Sequence, residues 1–251
     1  MRLKITFESL NSNLVLPIHY NHLIQALIYN IFSDKIADKL HNEGFRFGNR
    51  IFKMFTFSRI LEKGERNDKG LVFKRSISFY FSSPFLEITE DFGMRALNSS
   101  KFKLFNQEIY VSGVEIMAPP CLTEINLIKM LSPVTIHSTM EKADGVKKAY
   151  YYKPVEKEFP KLIEENAKKK YYLIHDSEPT NLYLDVKPFR FSVKENLCVV
   201  KFKQTPIEGY TGIFELKGSK DLINATYDAG IGDKNPEGFG MWELWKGGIN
   251  A

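Results

Sequence analysis

The chain has 251 residues, enough for two domains of about 120 residues each, and its 43% hydrophobic and 26% charged content is that of a folded chain with no disordered tract. Its net charge of +5 leans towards a polyanionic partner but is too small to identify one. Cys121 and Cys198 stand alone with no CxxC or Cys/His spacing, which argues against a zinc site or a disulfide scaffold.

No metal and no cofactor is expected, and the composition reads as cytoplasmic. The most apolar window, residues 14–32, carries His19, Asn21, His22, Gln25 and Asn30, which a membrane span would bury unpaired. The opening "MRLKITFESL" alternates apolar and polar residues where a signal peptide needs a continuous apolar block.

That alternation, Leu3, Ile5 and Phe7 against Lys4, Thr6 and Glu8, predicts a half-buried strand. After Pro17, Leu23, Ile24, Leu27, Ile28 and Ile31 recur at helical spacing, and a shorter helical turn covers residues 36–41. Two strands, "RIFKMFTFSRILE" and "LVFKRSISFYFSS", follow, joined by the polar loop "KGERNDKG". "FLEITEDFGMRALN" is helical and "QEIYVSGVEIM" a closing strand, ending near Pro119 and Pro120. Strand, helix, strand, strand, helix, strand is the split βαβ order of a ferredoxin-like domain.

The remainder repeats the order more loosely. "LIKMLSPVTIH" is a strand interrupted at Pro133, "VEKEFPKLIEENAKKK" an amphipathic helix, and "YLDVKPFRFSVK", "LCVVKFKQ" and "GYTGIFELKG" strands. "SKDLINATYDAG" is a helix capped by Ser219, and "FGMWELW" a last strand. Residues 138–153 lack a period and read as a loop, and His175 falls in another. The expected fold is α+β, two tandem ferredoxin-like βαββαβ domains over 1–120 and 121–251, with a C-terminal glycine-rich loop.

Between the last helix and last strand, Gly230, Gly232, Gly238 and Gly240 permit positive φ and leave backbone N–H groups bare, so a phosphate could approach the chain. A helix C-cap followed by a turn through Asn235, Pro236 and Gly238 reads equally well. A nucleotide P-loop fits less well, because the segment leads into a strand and lacks Gly-Lys-Ser/Thr. On the expected hairpin "KPFRFSVK"/"LCVVKFKQ", turning at Glu195 and Asn196, Arg190, Lys194, Lys201 and Lys203 share one face as a phosphate-tracking surface, or as ordinary solvated strand lysines. The aromatic consensus of an RNA-recognition motif is absent, so base stacking on the sheet is not expected.

"GIGDKNPEGFGM" resembles the C-terminal signature of the CRISPR-associated repeat-processing endoribonucleases, within the superfamily of repeat-associated RNA-binding proteins. "LPIHYNHLIQALIYNIF" is similar to that family's first helix, and "LSPVTIHS" to its mid-chain Ser-Pro segment. The resemblance implies metal-independent cleavage of precursor CRISPR RNA within each repeat by the ribose 2′-hydroxyl, leaving a 2′,3′-cyclic phosphate and a 5′-hydroxyl. Such chemistry needs a base, an acid and a cation or donor for the charged phosphate. The positions it implies are His41, Tyr29 and Lys53, with Gly230, Gly232, Lys234, Asn235, Gly238 and Gly240 beside the RNA backbone. Repeat RNA, and subunits of a CRISPR effector complex, are the implied partners. Each residue has a plain reading too: Tyr29 a boundary aromatic, His41 a solvated helix end, Lys53 an outward lysine. His19, His22, His137 and His175 read as structural or RNA-proximal, with His22 first to replace His41. A non-catalytic RNA-binding subunit of a ribonucleoprotein and a nucleotide-binding protein are the alternatives.

Overall fold

A computed structural model of the chain describes residues 1–10, 13–141, 145 and 147–247. The alternating opening forms β1 (Arg2–Ser9), and the helical stretch forms α1 (Asn21–Ile31). They are followed by β2 (Thr56–Phe57), β3 (Ser76–Ser82), α2 (Leu86–Asn98) and β4 (Gln107–Met117). The strands lie in the order β2-β3-β1-β4, all antiparallel, with a short edge strand Phe102–Leu104 beyond β4. Ile24, Leu27, Ile28 and Ile31 of α1 are buried over this sheet in a core that includes Phe55, Phe81 and Phe92.

The second unit repeats the plan. β5 (Ile125–Met130), α3 (Glu158–His175), β6 (Leu184–Phe189), β7 (Ile213–Gly218), α4 (Lys220–Ala229) and β8 (Trp242–Leu244) build a sheet ordered β6-β7-β5-β8. Its pairs are antiparallel as well, and α3 and α4 supply Phe159, Ile163, Leu222 and Ile223 to a separate core. Both units therefore carry the split βαβ order that the periodicities predicted.

Several local expectations are corrected. The stretch expected as one strand from Arg50 is broken: Phe45–Phe47 and Arg50–Phe52 pair as a hairpin, and Met54, at φ +52°, turns the chain before β2. The next expected strand is split at Lys74 and Arg75. Gly70–Phe73 leaves the main sheet to pair with Leu14–Leu16 and Glu65–Asn67. Within the expected loop 138–153, His137–Glu141 and Lys147–Tyr151 form a hairpin whose side chains are largely exposed on both faces, which is why its period is weak. His175 closes α3 instead of lying in a loop. Ser219 precedes α4, but its Oγ accepts from the Tyr183 N–H at 3.2 Å and does not cap the helix.

The basic hairpin is also paired differently. β6 lies against β7, and Leu197–Phe202 pairs with Thr205–Tyr210, turning at Lys203, which has φ +54°. Ser192 and Asn196 explain the break. The Ser192 side chain accepts from Glu195 N at 3.4 Å and Asn196 Oδ1 accepts from Ser192 N at 2.9 Å, which winds Val193–Asn196 into one helical turn. Arg190 and Lys194 thus sit on the connection, while Lys201 and Lys203 stand at the hairpin's far end.

The glycine segment locks the two units together. Asn21 Nδ2 on α1 donates to Glu237 O at 3.0 Å and Gly238 O at 3.2 Å, Gln25 Nε2 to Pro236 O at 2.7 Å, and Thr56 Oγ1 to Phe239 O at 3.0 Å. From the other side Arg2, 4% exposed, donates to the carbonyls of Trp242 and Tyr227, both at 2.9 Å. Gly238 is required twice over: its φ is +83°, and a Cβ there would come within 2.6 Å of the Phe57 ring and of Asn21 Nδ2. Gly238→Ala is expected to destabilise the protein by about 2 kcal/mol or more through left-handed strain and overpacking. Chemical denaturation checks this, and a wild-type midpoint would contradict the wedge geometry.

Candidate nucleic-acid cleavage site

Between the units lies a cavity of about 560 Å³ whose walls come from both. Gln25, Tyr29, His41, Arg50 and Lys53 line it from the first unit, and His137, Asn166, Lys170, Asp233, Lys234 and Asn235 from the second. The three residues singled out for chemistry, twelve positions apart along the chain, share this space.

Local structure brings them together. Ser33 accepts from Ile36 N at 3.4 Å and starts the short helix Asp34–Asp38, which widens into a single π turn, Lys39–Glu43, carrying His41. Such turns recur at functional sites because they swing a side chain off the helical register. Gly44, at φ +61°, closes the turn, and the hairpin 45–52 doubles the chain back so that Lys53 Nζ donates to the His41 carbonyl at 2.7 Å. The Tyr29 and His41 rings meet edge to face with centroids 6.1 Å apart.

The imidazole of His41 is exposed and oriented. Asn42 Nδ2 donates to Asp38 Oδ1 at 2.5 Å, which turns Asn42 Oδ1 towards His41 Nδ1 at 2.9 Å. An amide oxygen can only accept, so the neutral ring takes the tautomer with its proton on Nδ1 and its lone pair on Nε2. Burial pushes the Tyr29 phenol up to about 12, so at neutral pH it is a donor and not a base. Partial burial pulls the Lys53 ammonium below its ordinary value.

The glycine segment covers part of its main chain, although Gly232 lines the cavity. Gly230, Gly232, Gly238 and Gly240 are all buried, and the N–H groups of Gly238 and Gly240 bond to Asn235 O at 3.0 Å and Pro133 O at 2.8 Å. The expectation of N–H groups free for a phosphate at those two positions is corrected: both are bonded within the protein, and Asp233, Lys234, Pro236 and Glu237 of the segment line the cavity. Asn235 is 5% exposed, its Nδ2 donating to Ile231 O and Phe239 O. Lys234 Nζ lies 3.5 Å from Glu237 Oε1 and retains a place on the cavity wall.

Sequence reasoning missed the residue that sets this segment. Lys170, 1% exposed, donates to Gly230 O at 2.6 Å, Gly232 O at 2.8 Å and Asn235 Oδ1 at 2.7 Å. The three acceptors match the three protons of an ammonium, although burial pulls its pKa down to about 7 against the opposing pull of Asp233. Burial raises the Asp233 carboxyl, and its contacts with His137 and the nearby Lys170 outweigh that and leave it below its ordinary value. The signal was present: Phe159, Ile163, Asn166, Ala167 and Lys170 are the buried stripe of α3 at three- and four-residue spacing. Lys168 and Lys169 of the same run instead pair with Glu164 and Glu165 at the surface.

The basic residues divide. Lys201 and Lys203 line a second hollow of about 690 Å³ with His19, His22, Arg66 and Lys69, alongside Asp68. His19 Nδ1 accepts from Lys201 N at 3.3 Å, and the His22 ring stands edge on to Phe202. Arg190 stacks over Phe189 at 5.4 Å, and neither it nor Lys194 lines that hollow.

Two tandem ferredoxin-like units thus bring a histidine, a tyrosine and a lysine to one cavity between them. Residues 15–115 match the family "CRISPR-associated protein Cas6, N-terminal", and residues 117–244 match "CRISPR associated protein Cas6, C-terminal". The chain belongs to the Cas6 family of CRISPR-associated proteins. It is 27% identical over 252 residues to "CRISPR-associated endoribonuclease Cas6 1" of Methanocaldococcus jannaschii, covering 96% of this chain and 91% of that one. It is 27% identical to "CRISPR-associated endoribonuclease Cas6" of Pyrococcus furiosus, covering 90% of this chain and 82% of that one. A solved structure of a "CRISPR associated protein Cas6", 26% identical, superposes with a TM-score of 0.81 over 98% of this chain and 99% of the other. A structure described as "An RAMP protein binding different RNA substrates" has the same fold, with a TM-score of 0.83 at 21% identity over 98% of this chain and 100% of that one.

Lys170→Met leaves three buried oxygens without a donor and is expected to cost about 3 kcal/mol or more in chemical denaturation. A variant as stable as the wild type would show that the ammonium does not hold the segment.

Proposed function

We propose that this protein is an endoribonuclease that cuts precursor CRISPR RNA within its repeats, without a metal ion, giving 2′,3′-cyclic phosphate and 5′-hydroxyl ends. The observation that carries the reading is the convergence of Tyr29, His41 and Lys53 on one cavity between the two units. Its other wall comes from the glycine segment and α3.

In the neutral His41 ring the Asn42 contact leaves the lone pair on Nε2, which takes the proton of the 2′-hydroxyl. The 2′ oxygen then attacks the adjacent phosphorus. Lys53, fixed to the His41 carbonyl by one of its protons, presents the other two to the phosphate oxygens as charge gathers there. Tyr29, a phenol throughout the neutral range, adds a neutral donor beside them. Lys234 supplies a second cation from the opposite wall. The hollow of Lys201 and Lys203 serves as an outlying phosphate-tracking surface, with Arg190 and Lys194 as more distant contacts. Subunits of an effector complex remain partners of the proposal.

Purified protein incubated with its cognate repeat RNA in EDTA is expected to yield cyclic-phosphate ends. His41→Ala should lower the single-turnover rate by about 10²–10⁴-fold while RNA affinity changes less than about threefold. Binding without cutting by the wild type would leave an RNA-binding subunit as the function; an absolute magnesium requirement would overturn the mechanism. Replacing both Lys201 and Lys203 by Ala should weaken binding across RNA sequences and reduce the slope of log affinity against log salt by about one to two. An unchanged slope would remove the hollow from the RNA path.

A further inference from the structure

A second imidazole lines the same cavity as His41, and the reaction above gives it no part. His137 comes from the second unit, at the start of the hairpin strand His137–Glu141. Its surroundings are built to hold it. Asp233 Oδ2 lies 2.9 Å from His137 Nδ1 and also accepts from the His137 main-chain N–H at 3.2 Å, so one carboxylate oxygen grips both ends of the residue. Asp233 Oδ1 is held in turn by Asn166 Nδ2 at 2.9 Å, and the Asp233 N–H bonds to Thr135 O at 2.7 Å. The Tyr151 ring, with its centroid 5.5 Å away, flanks the imidazole.

That arrangement sets the chemistry of the ring. The Asp233 carboxylate, 2.9 Å from Nδ1 in a charge contact outside hydrogen-bonding geometry, stabilises the ring whenever it is an imidazolium. Nδ1 is sealed from solvent while the side chain as a whole keeps 27% exposure, so the open part of the ring is the part away from Asp233, where Nε2 lies. A phosphodiester in the cavity therefore meets His41, Tyr29 and Lys53 from the first unit and His137 from the second.

Building on the endoribonuclease reading, we infer that His137 is the general acid of the cleavage, so that the bond is broken between two imidazoles, one from each unit. His41 Nε2 accepts the proton of the 2′-hydroxyl, the 2′ oxygen forms its bond to phosphorus, and the bond from phosphorus to the 5′ oxygen breaks. The departing oxygen keeps that electron pair and takes the proton of His137 Nε2. The enzyme is left with a protonated His41 and a neutral His137, and exchange of one proton each with water restores it. No co-reactant is needed. Tyr29, held as a phenol with its pKa at about 12, is the weaker proton donor of the two and stays a phosphate ligand.

The test compares two cognate repeat RNAs cut by the full chain in single turnover, one ordinary and one with sulfur in place of the bridging 5′ oxygen at the scissile phosphate. A thiolate leaves without being protonated, so only a missing general acid is forgiven by the sulfur. His137→Ala is expected to slow the ordinary RNA by about 10²–10³-fold and the sulfur RNA by less than about threefold, whereas His41→Ala slows both. His137→Gln, which retains a donor for Asp233, should show the same split, and thermal unfolding with RNA affinity reports whether either variant is merely misfolded. Equal slowing of both RNAs by a folded His137 variant, or no slowing of the ordinary one, would overturn the inference. So would the split appearing in Tyr29→Phe. A wild-type protein that cuts neither RNA would instead overturn the endoribonuclease reading on which the inference stands.

Discussion

The ammonium of Lys170 and the three oxygens it holds are what the rest of the site depends on. Removed from water, that charge is tolerable only because every proton has an acceptor, and the acceptors are the carbonyls of Gly230 and Gly232 and the side chain of Asn235. Fixing those points fixes the glycine segment, and through it two other things. Asn21 and Gln25 attach α1, with Tyr29 one turn beyond Gln25, to the segment's carbonyls. Asp233, between Gly232 and Asn235, carries His137. One buried cation thus sets both walls of the cavity.

Glycine here serves packing more than access. At Gly240 a Cβ would run into the Ile231 carbonyl, and at Gly238 into α1 and Phe57, so the residues are bare because another part of the protein occupies the space. The family signature and the cavity are therefore linked through geometry: the motif joins two units whose facing surfaces are incomplete alone. RNA would meet the polar side chains that alternate with the glycines, chiefly Lys234.

How much of this was legible in the chain follows from the range of each interaction. β1, α1, α2, α3 and α4 announce themselves because one face of each is buried and its apolar residues recur at the element's period. Pairing partners are less visible. The alternation through Phe189 and Val200 is real, yet it does not say that β6 joins β7 and that Leu197–Phe202 joins Thr205–Tyr210; the local bonds of Ser192 and Asn196 decide that. Tyr29, His41 and Lys53 were identified by resemblance, and no spacing rule would have gathered them, since a π turn and a hairpin bring them together. Lys170 was readable on the buried stripe of α3 and hidden by its place in a run of three lysines. The His137 contact with Asp233 spans most of the second unit and leaves no trace in sequence.

The central claim is that the scissile phosphate is bound in the cavity between the two units, against His41. The direct measurement is a crystal structure with a repeat RNA carrying a 2′-deoxy residue on the 5′ side of the cut, which stops the reaction. The account predicts the scissile phosphate between His41 and His137, with Lys53 Nζ about 3 Å from one of its oxygens. A scissile phosphate seated in the hollow of Lys201 and Lys203, with the interdomain cavity holding no RNA, would contradict it.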